Sequence, residues 1–432
     1  MNAFALAHAL IRPVTPVLAV LNQHVDEACH RLRRRQASDG SRQVKFAQRL
    51  REDEVLFAHL QGLSVAGVEA DRTATERCQR PSTANQIVRA WTGFVARGLD
   101  RDSLLQSLHH CDGNLAELHA VCEALRWWPA SSQDSLPASS PANSSVLELL
   151  SSTKGNVAAW ALLQLCDRQR WAVPDEVLER ALSSSEPAMR TAAYSYCASF
   201  GRHDRIAQVL QGISSAGSAN ESTLAAACAA LRLGDRQFAT GTLWAAAVSP
   251  AGTDEGDEVL RQKTLVDLCT ALPLSQSREA WLEAQATGAP RSRLLAAAEA
   301  ANDPFHLPWL IQQLDDPAAF DEALAALTWM LGEWQATVEE TTGQVTPDAT
   351  HAYIEARQWP SMDVRWLNGQ ALGKDGVFDT LLHGPLRFRH HAARHLAMVR
   401  PHTPDLDMNA PATSQLQWLY EAELNLEGET DD

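Results

Sequence analysis

The stretch RSRLLAAAEAANDPFHLPWLIQQLDDPAAFDEALAALTWMLGE (291–333) decides the fold. Its first fourteen residues carry alanine and leucine at three- and four-residue steps and then stop at Asn302-Asp303-Pro304. That period is the signature of a helix with one apolar face. Leu307–Leu314 forms a second such segment, with Pro308 in its first turn, where a missing N–H costs nothing. Asp315-Asp316-Pro317 turns the chain, and FDEALAALTWMLGE (320–333) repeats the pattern of small residues on one face. Helix, turn, helix, with alanines that let a neighbouring helix approach closely, is a unit that stacks.

Similar segments lie elsewhere: MRTAAYSYCASFGR (189–202), STLAAACAALRLGDR (222–236) and FRHHAARHLAMVRP (388–401). The five starts are separated by 33, 69, 29 and 68 residues, and Gln262–Leu272 supplies a candidate helix inside the first long gap. Val173–Leu182, with Pro174 in its first turn, is a partner helix for the first of them. A period of about 30–34 residues with two helices per unit predicts an all-α chain, an α-solenoid of HEAT-like helix pairs with about six to eight pairs.

Residues 129–145, PASSQDSLPASSPANSS, have nothing with which to bury a core and predict a flexible Ser/Pro-rich linker. It separates an N-terminal helical region, 1–128, from a solenoid spanning 146–420, and 421–432 form an acidic tail. Within the first region, helices are expected from Val17 to Arg35, from Phe46 with an end or bend at Gly62, over Ile87–Val95, and over 104–108 and 115–125. The apolar run from Phe4 to Leu21 is interrupted by His8, Arg12, Pro13 and Pro16, so it predicts neither a signal peptide nor a membrane span.

The net charge of −16 is uneven. Residues 1–130 hold 16 Lys/Arg against 14 Asp/Glu, and the rest 21 against 39. An acidic body repels phosphates and anionic lipid, which argues against nucleic acid and membrane as partners. The eight cysteines form no C-x-x-C pair and mostly lie in apolar helical runs, the pattern of reduced thiols in a cytoplasmic protein. Oligomeric state leaves no sequence signal.

Chemistry-bearing motifs are sparse. There is no G-x-S-x-G, no G-x-G-x-x-G and no phosphate-binding loop. Of the histidines, His109-His110 and His390-His391 are adjacent and diverge by about 100° on a helix. His391 and His395 could share a face, but their segment contains no carboxylate and reads as solvated or capping histidines in a basic helix. No catalytic, metal or cofactor residue is assigned. The positive patch Arg387, Arg389, His390, His391, Arg394, His395 and Arg400 could meet an acidic partner or the acidic tail. Arg31, Arg33, Arg34 and Arg35 form a second basic run, read as a solvated helix face. Thirteen tryptophans suit burial between helices, with some available as binding anchors. The residues singled out for contact with a protein partner are Trp366, Asn368, Arg387, Arg389 and Arg394.

VLNQHVDEACHRLRRRQ (20–36), REDEVLFAHLQGLSVAG (51–67) and VRWLNGQALGKDGVFDTLLHGPLRFRHHAARHLAMVRP (364–401) resemble the opening and closing signatures of a bacterial family with HEAT-like repeats. That family is encoded near genes for type VI secretion spike proteins, their adaptors and their toxic effectors. The matches are HVDEA (24–28), HLQGLSVAG (59–67) and R-W-L-N-G (365–369); Cys29-His30-Arg31 stands where the family has an aromatic-rich run. The resemblance implies a non-catalytic adaptor or chaperone for a secreted effector or spike component. Two other readings are an immunity-type toxin inhibitor and a HEAT-like lyase or hydroxylase. The enzyme would need converging His/Asp/Glu or a reactive thiol in a cleft, and His391, His395 and a carboxylate gathered at one pocket would favour it.

Overall fold

The computed structural model describes residues 17–41, 43–97, 173, 175–214, 220–250, 255–332, 334–399 and 406–428, with isolated positions between 117 and 163. The described residues are overwhelmingly helical, and their only sheet is one two-stranded hairpin. The chain forms two compact units: Met1–Asp39 with Gln48–Trp171, and Gly40–Ala47 with Ala172–Asp432. The expected linker at 129–145 and the helices expected over 104–108 and 115–125 lie outside the described residues, apart from isolated positions, and the division falls later, between Trp171 and Ala172.

In the first unit, α1 (Leu18–Ser38) buries Leu21, Val25, Ala28, Cys29 and Leu32, the stripe expected from its spacing. It packs on α3 (Val68–Arg77) and α4 (Thr83–Arg97). The basic run at its end is only partly solvated: Arg35 is buried, with Nε donating to Asp53 Oδ1 at 3.0 Å, while Arg34 reaches Glu52 at 2.8 Å. Both carboxylates belong to α2 (Phe46–Ala66), so the opposite charges of the two motifs meet.

Helix α2 does not end at Gly62. It runs through that residue, because the ring of His24 lies against it: a Cβ there would come within 2.9 Å of the imidazole. Glycine at this position serves close helix approach, and the helix stops instead at Gly67, whose φ of +54° few other residues adopt. Helix α3, with only three buried residues, has too weak an apolar stripe to be read from sequence.

The second unit contains the helix pairs. One row of its helices is α6 (Pro187–Ser199), α8 (Glu221–Arg232), α10 (Glu255–Ala271), α12 (Arg291–Ala301) and α14 (Phe320–Leu331), all alanine-rich except α10, which has one alanine. Their starts are 34, 34, 36 and 29 residues apart. Each touches the next: α6 on α8, α8 on α10, α10 on α12, α12 on α14. The helices between them are α5 (Asp175–Leu182), α7 (Ile206–Ser214), α9 (Gln237–Ala247), α11 (Leu274–Ala286) and α13 (Leu307–Gln312), and each packs on the helix of the row that follows it. Here α7 also touches α9, and α9 touches α11. Five such pairs are described. Ala192, Ala193, Ala226, Ala227, Ala297, Ala298, Ala325 and Ala326 are all buried at the helix contacts, as the small-residue faces predict.

Arginines stitch one pair to the next. Arg293 of α12 is fully buried and donates to the carbonyls of Ala247 (3.0 Å) and Ser249 (2.7 Å), satisfying the C-terminal end of α9. Its Nε reaches Glu258 of α10 at 2.7 Å.

The row ends at α14. The chain continues through α15 (Trp334–Thr342), α16 (Pro347–Glu355), the hairpin β1 (Trp366–Leu367) and β2 (Gln370–Ala371), α17 (Lys374–His383), α18 (Leu386–Val399) and α19 (Ala412–Gly428). The segment 388–401, counted by its alanines as a further repeat, is not one. As α18 it lies on α8 and α10 and packs on α17, instead of extending the row beyond α14.

Candidate functional site

The R-W-L-N-G motif forms the hairpin, with Trp366 opposite Ala371 and Leu367 opposite Gln370. Asn368 and Gly369 have φ of +51° and +76°, the pair of left-handed conformations that a two-residue turn demands and that Asn-Gly supplies. That dipeptide was a legible hairpin signal.

The hairpin caps helix ends. Trp366 N donates to Asn302 O at 2.8 Å, Asn368 N to Trp329 O at 3.2 Å, and Gly369 N to Met330 O at 2.7 Å. Arg365 donates to the carbonyls of Cys269 and Leu272, each at 2.8 Å, and to that of Ala301. Those carbonyls close α10 and α12, where no intrahelical donor remains. Because successive strand residues face opposite ways, Trp366 enters the core formed with α12–α15. Leu367 enters the second core, with Trp329, Phe378 and Phe388.

Trp366, 1% exposed, is therefore a core and capping residue and cannot touch a partner; its ring stacks on Trp359 at 5.3 Å. Arg389, also 1% exposed, is likewise interior, with Nε donating to Leu381 O at 2.6 Å and its guanidinium 3.7 Å above the Phe46 ring. Sequence showed their type and not their depth. Of the five residues singled out, Asn368 is exposed at the hairpin tip, and Arg387 and Arg394 are half-buried in ion pairs.

Those ion pairs seat α18. Arg387 grips Glu299 of α12 through Nε at 2.6 Å and a terminal nitrogen at 2.5 Å, and His391 Nε2 donates to the same carboxylate at 3.1 Å. Arg394 lies 3.5 Å from Asp267 of α10. His395 is buried and donates from Nε2 to Ala300 O at 3.0 Å. Burial alone would raise the Glu299 carboxyl; His391 and Arg387 beside it overturn that and hold it down at about 2. Burial pushes the His395 imidazole down to about 3, with Arg365 and His391 adding to the effect. The histidines of α18 are thus not a solvated set. The helix carries no carboxylate of its own because α10 and α12 supply them.

Beside α18 opens a cleft of about 290 Å³, walled by α6, α8, α10 and α18. Lys263, His390, Arg394 and Asp267 give it charge, while Leu224 and Met398 give it apolar surface. Cys228 also lines it, with its thiol 3.4 Å from Asp267 and raised above its ordinary range by burial and then by that carboxylate. A protonated thiol is a poor nucleophile. Glu299, His391 and His395 come together but do not line the cleft. Among the described residues no three or more His, Cys, Asp or Glu side chains gather closely enough to hold a metal ion. Nor is any described helix long and apolar enough to cross a membrane. The cleft combines charged, hydrogen-bonding and apolar side chains.

Among the described residues, fold and site define an α-helical protein with a row of paired helices and a cleft beside α18. No protein-family model, no curated protein and no solved structure matches the chain.

Proposed function

We propose that the second unit is a HEAT-like α-solenoid and that the chain is a non-catalytic, cytoplasmic scaffold for another protein. The occupant is a secreted effector or spike component of a type VI secretion system, for which this chain acts as adaptor or chaperone. The observation that carries the reading is the row of helices α6, α8, α10 and α12 at intervals of 34, 34 and 36 residues, each paired with a preceding helix. Stacked pairs present long continuous surfaces, the usual basis of recognition by repeat proteins. The partner role itself rests on the resemblance of residues 20–36, 51–67 and 364–401.

Helix α18 covers part of the row at α8 and α10, and the cleft beside it is the surface proposed for the partner. Ala225 lines that cleft and is half-exposed, so a tryptophan there fills it without entering the core. The test is affinity capture from the native host while the secretion system is active. Tagged wild-type protein is expected to retain a spike, adaptor or effector protein, and Ala225→Trp to lose at least tenfold of it with an unchanged circular dichroism spectrum. Recovery of no such protein overturns the reading; equal recovery with Ala225→Trp moves the surface away from the cleft.

A further inference from the structure

A pair of cysteines in the first unit is placed for chemistry that the scaffold role does not use. Cys29 of α1 and Cys78, the residue that follows α3, have sulfurs 3.6 Å apart. Both are 4% exposed. Two elements hold them together. Arg77, the neighbour of Cys78, forms a forked ion pair with Asp26, with Nε donating to Oδ1 at 2.9 Å. Asp26 precedes Cys29 by three residues and so shares its face of α1. Cys78 has already left the helix, with φ −90° and ψ 36°, and opens the connection to α4. It can shift by the ~1.5 Å that separates the two thiols from a bond of about 2.05 Å without unwinding a turn.

We propose that Cys29 and Cys78 are a peroxide-sensitive pair that closes to a reversible disulfide, with Cys78 attacking first and Cys29 resolving. The proposal is independent of the scaffold reading. The Cys78 thiolate attacks one oxygen of hydrogen peroxide, the O–O bond breaks, and Cys78 becomes a sulfenic acid as hydroxide leaves. The Cys29 sulfur then attacks the sulfenic sulfur, its proton passes to the departing hydroxyl, and water is released. In sum, two thiols and one peroxide give one disulfide and two waters.

The order follows from position: Cys78 has left its helix and has Arg77 as its neighbour, whereas Cys29 is fixed within α1. The contact between the two sulfurs favours a single thiolate in the pair, and the nearby Arg89 and Arg77 favour it at Cys78. A small oxidant suits sulfurs this enclosed. Cys197 and Cys269 are equally buried, but burial pushes each up to about 12, which makes them internal controls.

The experiment treats the full chain with hydrogen peroxide, alkylates it in denaturant, and digests it without reduction. Expected are a peptide pair joined through Cys29 and Cys78, the loss of two hydrogens from the intact mass, and reversal by dithiothreitol. Cys29→Ser should instead leave Cys78 as a sulfenic acid that dimedone labels. Recovery of both residues as free thiols at peroxide doses that already oxidise Cys197 or Cys269 overturns the proposal, as does pairing of either with a different cysteine. An unlabelled Cys78 in Cys29→Ser overturns the order of attack. The wild-type map decides the matter even if that variant folds poorly.

Discussion

His306 ends a single 3-10 turn before α13, with no exposed surface and with neither ring nitrogen hydrogen-bonded among the described residues. Aromatic rings surround it: Trp281 at 4.8 Å and Phe305 at 5.3 Å between centroids. Burial pushes its imidazole down to about 4, and the nearby Asp303 only partly opposes this. Unfolding releases the ring to an ordinary value near 6.5. The unfolded chain therefore binds the extra proton first. The fold is favoured above about pH 6.5 and loses on the order of 3 kcal/mol as pH falls to about 4. His395, pushed down to about 3, acts in the same direction. In His306→Phe the ring shape survives and two unpaired polar atoms are removed, so stability at pH 7.5 should hold or rise. Urea midpoints for the variant should fall less steeply than wild type between pH 6.5 and 4. Parallel slopes would show that His306 is not buried in its neutral form. None of this was readable from sequence, where His306 is one histidine among fifteen before a proline-containing helix.

At the scale of elements, α18 is where sequence and structure diverge most usefully. Its 3.6-residue pattern and its helix boundary were legible, because both depend on residues within one turn of each other. Its docking was not, because Glu299 and Asp267 lie about 90 to 130 residues earlier and no local rule joins them to Arg387 and Arg394. For R-W-L-N-G even the turn went unread: Asn-Gly is its signal, but no hairpin was expected in an all-α chain, and its job of capping α10 and α12 rests on carbonyls distant in the chain. The Glu299 cluster gives a measurable consequence. Glu299→Gln leaves Arg387 and His391 without their anion. Since Arg387 is partly exposed and can regain water, the cost should be about 2–3 kcal/mol, below that of a fully interior pair. A carboxyl held at about 2, against an ordinary 4.5, stabilises the fold above pH 4.5, and that contribution disappears as pH falls toward 2. The variant should lack that acid-labile component, and its α18 amides should exchange hydrogen at least tenfold faster. Unchanged exchange across 386–399 would mean that the apolar contacts of Phe388 and Ala392 hold the helix alone.

For the whole molecule, composition foretold an all-α chain, but the partition of the sequence was hidden. Gly40–Ala47 clusters with residues beyond 171, through bonds such as Leu386 N to Val44 O at 2.9 Å and Arg387 N to Ser41 O at 3.1 Å. A short segment without repeat or motif gives no hint of such a destination. What the row of pairs does make testable is how stability is distributed. If each pair depends on its immediate neighbours, as in a solenoid, damage to one should spread to the adjacent pairs and fade with distance. If the unit is a single bundle, damage anywhere should lower protection everywhere. Ala298 is suited to the test: it is fully buried in α12, within the core that includes Leu310 and Leu327. Ala298→Leu forces three extra carbons into a packed contact, at a cost of about 1–3 kcal/mol. Hydrogen exchange read by mass spectrometry should show faster opening in α10, α12 and α14 while α5 and α6 keep their wild-type protection. A uniform loss across 175–331 would favour a single bundle over the proposed solenoid, and the repeat architecture that supports the scaffold reading would go with it.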